Sequence, residues 1–210
     1  MCVGDFMVKD KKIKPRKEYI IILIITIIGV VLDQISKLII RYEFTNLSCV
    51  KCLSEILPIG GLYKGFNVVP SKGIEIIKNF FYITNVNNTG GAWGMLSGNV
   101  PLLAVISALV VIVLLYFLKS EKSLNKLSIT YYGMLFAGII GNLIDRLFNG
   151  YVTDFLNFYI LGYDYPVFNI ADILIVLGMI LMVIDVLRGE VYAYNKRKRE
   201  HKNWSVFNWR

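Results

Sequence analysis

The stretch from residue 100 to residue 118 contains no charged side chain. Wound as a helix at about 1.5 Å per residue, it matches the roughly 30 Å hydrocarbon core of a bilayer. Three further apolar runs accompany it. Residues 19–40 are apolar until Asp33, Gln34 and Lys37; residues 127–148 until Asn142, Asp145 and Arg146. Residues 167–187 hold Asn169 and Asp172 near their start and Asp185 near their end. Hydrophobic residues make up 56% of the 210-residue chain and charged residues 18%. A chain this short cannot hide that excess in one core, so it must face lipid. The pattern predicts an α-helical membrane protein with four transmembrane helices. The first run is longer than the roughly 7–15 apolar residues of a secretory signal peptide, so it is expected to remain in the mature protein.

Net charge is +8, which raises nucleic acid as a partner. The distribution argues against it. Basic residues concentrate at 1–19, 119–126 and 188–210, each patch abutting an apolar run. That is the arrangement that orients membrane proteins, with Lys and Arg retained in the cytoplasm. With four spans all three patches fall on one side. Both termini are therefore expected in the cytoplasm, and residues 41–99 and 149–166 outside. The chain divides into a basic tail at 1–18, a membrane domain at 19–187 with an irregular outer insertion at 44–73, and a second basic tail at 188–210. Residues 80–86 are aromatic and β-branched and predict a strand; Asn87 to Gly91 predict a turn. Cys49 and Cys52 form a lone C-x-x-C, open to a local disulfide or to two free thiols. With one histidine, His201, and three cysteines, a four-ligand zinc site lacks ligands.

Ionisable groups at membrane depth are costly, so they mark a function or a partner. Those here approach one level, the outer end of the spans. Asp33 and Lys37 lie four apart on one helix face. Asn142, Asp145 and Arg146 share a face of the third helix. Asn169 and Asp172 open the fourth, and Asp154 follows the third. The first four charged groups, Asp33, Lys37, Asp145 and Arg146, suit ion pairs as well as a site. Asn142 and Asn169 suit interhelical hydrogen bonds as well. Asp154 and Asp172 remain after the obvious cations are paired; helix or strand capping is their alternative use. Two neighbouring carboxylates resist joint ionisation and share a proton. One then activates water and the other protonates the carbonyl oxygen or the leaving amine, which cuts a peptide bond with no metal and no covalent nucleophile. A serine or cysteine nucleophile has no histidine available, because His201 lies in the basic tail.

Five blocks of sequence resemble the bacterial lipoprotein signal peptidases (signal peptidase II). They are Asp33-Gln34-Ile35-Ser36-Lys37, Asn88-Thr89-Gly90-Gly91-Ala92-Trp93, Gly138-Ile139-Ile140-Gly141-Asn142-Leu143-Ile144-Asp145-Arg146, Val152-Thr153-Asp154-Phe155 and Phe168-Asn169-Ile170-Ala171-Asp172. The resemblance covers residues 19–187 and implies a four-helix transmembrane aspartic endopeptidase with a small extracytoplasmic β-sheet and no cofactor. It implies Asp154 and Asp172 as the catalytic pair, with Asn88, Asn142, Arg146 and Asn169 lining the site and Asp33, Lys37 and Asp145 supporting it. It also implies a diacylglyceryl-modified prolipoprotein as substrate, cut before the modified cysteine at the outer face of the cell membrane. Globomycin-type cyclic peptides would then be inhibitors and membrane lipid a partner. Gly91 stands where the family usually has alanine. A small transporter or channel subunit is the alternative; it predicts acids spread through the membrane depth. A non-catalytic membrane scaffold is the other.

Overall fold

The computed structural model describes residues 17–56, 67–69, 73–90, 98–121 and 123–207. Its side chains are described over 17–44, 73–90, 98–121, 123–189 and 191. Among the described residues four helices form: α1 (Lys17–Ile56), α2 (Val100–Ser120), α3 (Lys126–Phe148) and α4 (Ile170–Phe207). Each contains a segment long and apolar enough to cross a membrane: Lys17–Phe44, Val100–Ser120, Lys126–Phe148 and Ile170–Gly189. The described residues also contain five strands: β1 (Asn67–Val69), β2 (Gly73–Ile77), β3 (Phe81–Asn88), β4 (Val152–Ile160) and β5 (Tyr163–Asp164). They form one antiparallel sheet in the order β1-β2-β3-β4-β5. The α-helical membrane architecture with a small sheet is as the sequence predicts.

The helices divide the labour unequally. α2 is apolar all round and only 6% of its span is buried, whereas 56% of the α3 span is. α3 is the hub, packed against α1, α2 and α4. Without a hydrophobic force between helices in lipid, close packing depends on small residues. Gly133 accordingly faces Ile25 of α1, and Gly138 faces the Ala171 carbonyl of α4. At the end of α3 that carries its N-terminus, Asn125 caps the helix, its Oδ1 accepting from Ser128 N at 2.9 Å. Asp185 ties that end to α4, accepting from Asn125 Nδ2 at 2.9 Å and Ser128 Oγ at 3.1 Å. Ile22, Leu118, Tyr131, Tyr132, Leu135 and Phe136 form the adjoining core.

The sheet sits at the opposite end of the bundle. β3 pairs with β4 across the α2–α3 excursion, with Val86 opposite Asp154 and Asn88 opposite Val152. Three expectations change here. The segment at 44–73 is not irregular throughout: α1 continues to Ile56, and β1 occupies Asn67–Val69. Asn87 and Asn88 close β3, so the bend contains only Thr89 and Gly90 among the described residues. Span four starts at Ile170, and its helix runs on to Phe207, because the Lys, Arg and Glu residues after 195 are good helix formers. Cys49 and Cys52 lie on the helical backbone of α1, and their side chains fall outside the described residues, as do residues 1–16 and Gly91, Ala92 and Trp93.

Candidate active site

Asn169 immediately precedes α4 and caps it. Its Oδ1 accepts from Asp172 N at 3.1 Å, while Asp172 Oδ2 accepts from Asn169 N at 3.1 Å. This reciprocal pair is a capping box with an aspartate in the usual Glu/Gln place. It fixes Asp172 in the first turn, where the helix N-terminus favours a negative charge. Capping, weighed above as an alternative to a site role, is thus one job of Asp172. Its other oxygen, Oδ1, accepts from Asn142 Nδ2 at 2.8 Å.

Asp154, which follows the third helix as expected, is the third residue of β4. Residues 152–155 are buried on both faces of the strand, which removes the alternation that normally announces a strand. Asp154 Oδ1 accepts from Asn169 Nδ2 at 2.6 Å and Oδ2 from Asn88 Nδ2 at 2.8 Å. Asn88 is itself fixed, its Oδ1 accepting from Gly90 N at 3.0 Å. Asparagine side chains therefore orient both carboxylates. Asp154 is only 2% exposed. Burial, and next the negative charge of Asp172, push its carboxyl up to about 6, against the pull of the Asn88 and Asn169 hydrogen bonds.

Below the two carboxylates lies a buried ion cluster. Lys37 Nζ meets Asp33 Oδ2 at 2.9 Å and Asp145 Oδ2 at 3.2 Å, and donates to Asn142 Oδ1 at 2.9 Å. All three ammonium protons have an acceptor, and Lys37, Asp33 and Asp145 are 0% exposed. Both acids hand the constraint onward. Asp33 Oδ1 accepts from Ala171 N at 2.9 Å, and Asp145 Oδ2 from Thr153 N at 3.1 Å. Ala171 and Thr153 are the residues immediately before Asp172 and Asp154. One lysine thus ties down the backbone that carries each site aspartate. Gly141 makes room for this: a Cβ there would stand 2.6 Å from Asp33 Oδ2.

Asp145 and Arg146 do not pair with each other, because adjacent helical side chains diverge. Asp145 turns to Lys37 and, at 3.6 Å, to Arg41. Arg146 turns to the groove, donating to the Asn142 carbonyl at 3.3 Å and to Ser107 Oγ at 3.5 Å. Three participants escaped the sequence reading. Gln34 Nε2 donates to Asp33 Oδ2 at 3.1 Å and to the Gly141 carbonyl at 3.0 Å. Arg41 donates to Thr153 Oγ1 at 3.4 Å, and Thr153 supplies the backbone N–H described above. Arg41 had a signal, since it lies four residues beyond Lys37.

Asn88, Asn142, Arg146, Asp154 and Asp172 form the polar end of an open groove of about 1270 Å³. Its long wall is apolar, with Ile173, Val176, Leu177 and Met179 of α4 facing Tyr163, Tyr165 and Phe168. The groove therefore offers two carboxylates and a guanidinium at one end and a surface for hydrocarbon along its length. Asn169 stands behind the carboxylates, also donating to Asn142 Oδ1 at 3.2 Å. All nine residues singled out in the sequence fall in this one assembly, six of them at the groove or against its carboxylates and three in the ion cluster.

Residues 25–188 match the family described as signal peptidase (SPase) II. Lipoprotein signal peptidases of Staphylococcus aureus strains JH9 and Newman are each 40% identical over 128 residues, which is 61% of this chain and 77% of theirs. A bacterial membrane enzyme solved by the in meso method at 2.3 Å resolution superimposes with a TM-score of 0.60. It is 32% identical and covers 80% of this chain and 87% of its own. A second such structure, at 1.9 Å, gives 0.56 at 32% identity, over 79% of this chain and 92% of its own. The sheet, the four spans and the ordered polar motifs therefore have one explanation: this chain belongs to the signal peptidase II family.

Proposed function

We propose that this membrane-embedded signal peptidase cuts prolipoproteins by aspartic chemistry, with Asp154 and Asp172 as the catalytic pair. The supporting observation is that two carboxylates from different elements meet at the polar end of one groove, with Asp154 held up to about 6. Burial and the Asp172 charge favour a single shared proton, residing on Asp154. Asp172, held by two N–H donors, then acts as the base: it takes a proton from a water that attacks the scissile carbonyl carbon. Asp154 gives its proton to the carbonyl oxygen. Collapse of the tetrahedral intermediate breaks the C–N bond: the amine leaves with the proton that Asp172 took from water, and a hydroxyl of the intermediate returns a proton to Asp154 as the new carboxyl group forms. Each turnover consumes one water and returns the pair to its starting state.

The other residues follow from their contacts. Arg146 and Asn142 bind the substrate backbone beside Asp172. Asn88 and Asn169 keep the Asp154 carboxyl in plane. The apolar wall from Ile173 to Met179 takes hydrocarbon, which suits a substrate whose cysteine bears a diacylglyceryl group. The bond cut is the one before that cysteine, and globomycin-type cyclic peptides occupy the same groove. The distribution of Lys and Arg supports cytoplasmic termini and a site at the outer face of the cytoplasmic membrane. A transporter or channel subunit draws no support from the relatives or from the acids, which apart from Asp185 gather at one end of the spans.

The test is a mobility assay on a diacylglyceryl-modified precursor with purified protein in detergent. A shortened product that globomycin suppresses is the expected result. An uncut precursor under conditions where a Staphylococcus aureus relative cuts it overturns the reading.

A further inference from the structure

β4 and β5 are joined by a two-residue turn, Leu161-Gly162, with Ile160 opposite Tyr163. Both turn residues have positive φ, 52° at Leu161 and 82° at Gly162. Turns of this kind favour Asn-Gly or Asp-Gly, because asparagine and aspartate tolerate the left-handed region far better than leucine. Leu161 is therefore a poor choice for the turn. It serves no packing purpose either, since it is 103% exposed. Ile160, Tyr163 and Tyr165 beside it are 41%, 59% and 47% exposed. The sole charge at the tip, Asp164, is engaged by the Tyr159 hydroxyl at 2.9 Å.

The location of this tip identifies what covers it. Tyr163 and Tyr165 line the same groove as Val176, Leu177 and Met179. Those three lie on a membrane-spanning segment, one to two turns beyond Asp172, and are 44–49% exposed. The hairpin is thus alongside the lipid-facing wall of α4, not held clear of it. Tyrosines flanking an apolar tip are what a membrane interface selects, with rings in the acyl boundary and hydroxyls among headgroups.

We infer that the β4–β5 hairpin is a lipid-seated foot: Leu161 and Ile160 insert into the leaflet on the Asp154 side, and Tyr163 and Tyr165 mark the headgroup boundary. The foot holds the groove mouth at the depth where a lipid-anchored segment emerges from the acyl region. That consequence rests on the substrate reading above; the insertion itself does not, and it is measurable without activity.

The experiment replaces Cys2, Cys49 and Cys52 with serine and adds Leu161→Cys, labelled with a nitrobenzoxadiazole dye. The protein is placed in nanodiscs of phosphatidylcholine and phosphatidylglycerol. Nitroxides at different acyl positions report depth, and aqueous iodide reports water access. The side chain at 161 is fully exposed, so its replacement removes no buried packing. A depth of about 5–10 Å below the headgroup boundary, with protection from iodide, is expected. Free quenching by iodide overturns the inference. Protection from both quenchers also overturns it, because it would place a protein surface, such as a second copy or the substrate, on the tip.

Discussion

Replacing Lys37 by methionine removes the charge at the centre of the buried cluster while keeping much of the side-chain length. Asp33 and Asp145 would then be left 0% exposed without their shared cation. Asp33 retains Gln34 and the Ala171 N–H, and Asp145 retains Arg41 and Asn149. Removing one partner of a buried ion pair costs about 3–5 kcal/mol, since the uncompensated charge stays behind. For a chain of this size each kcal/mol moves the melting temperature by about 2–4 °C, so a fall on the order of 10 °C is expected. Activity should fall further than stability explains. The N–H tethers at Ala171 and Thr153 slacken together, and a displacement of 1 Å at the chemistry costs about 100-fold in rate. Thermal unfolding in detergent, together with kcat and KM for a lipidated precursor well below the melting point, separates the two effects. The expected pattern is a large loss in kcat with KM little changed. A Lys37→Met variant that melts with the parent and turns over normally refutes the proposed clasp.

Other perturbations reach different parts of the site. With Asp154 carrying the shared proton, kcat/KM should fall as pH rises through about 6; a profile flat from pH 5 to 8 contradicts that assignment. The same raised carboxyl makes the folded state bind more protons than the unfolded chain between the usual carboxylate range and about 6, so Asp154 lowers stability as pH rises through that window. Gly141→Ala places a methyl 2.6 Å from Asp33 Oδ2 and should cut activity about tenfold or more by shifting that carboxylate; unchanged turnover shows that Asp33 has room to spare. Arg146→Lys should express normally yet lose most activity in the precursor assay, because an ammonium cannot reproduce the guanidinium's planar fork.

The spans were legible because a long apolar run has few alternatives once length and charge are counted. The two aspartates that line the groove stood out for a related reason, as carboxylates left without cations in an apolar chain. Their surroundings were less so. Lys37 and Asp145 lie 108 positions apart, and only packing of α1 on α3 shows that one lysine serves two acids. The motif Gly138-x-x-Gly141-Asn142 could be recognised but not explained until Ala171 and Asp33 were seen against its glycines. β4 was hidden by burial of four successive residues, 152–155, so no alternation announced the strand that carries Asp154. The continuation of α1 to Ile56 and α4 to Phe207 was missed because hydropathy marks where lipid ends, not where a helix does. Leu161 gave no signal, since only its backbone angle and exposure set it apart.

The account stands or falls on the paired carboxylates, and the most direct measurement is cleavage by Asp154→Asn and Asp172→Asn. Asparagine nearly preserves shape but neither accepts a proton from water nor donates one to the leaving group. Each single variant should insert and fold, melt near the parent or above it, and leave the lipidated precursor uncut. The double variant should be hardly worse than either, because residues acting as a unit are not additive. Substantial product from either single variant, read as a mobility shift of the precursor, contradicts the aspartic mechanism.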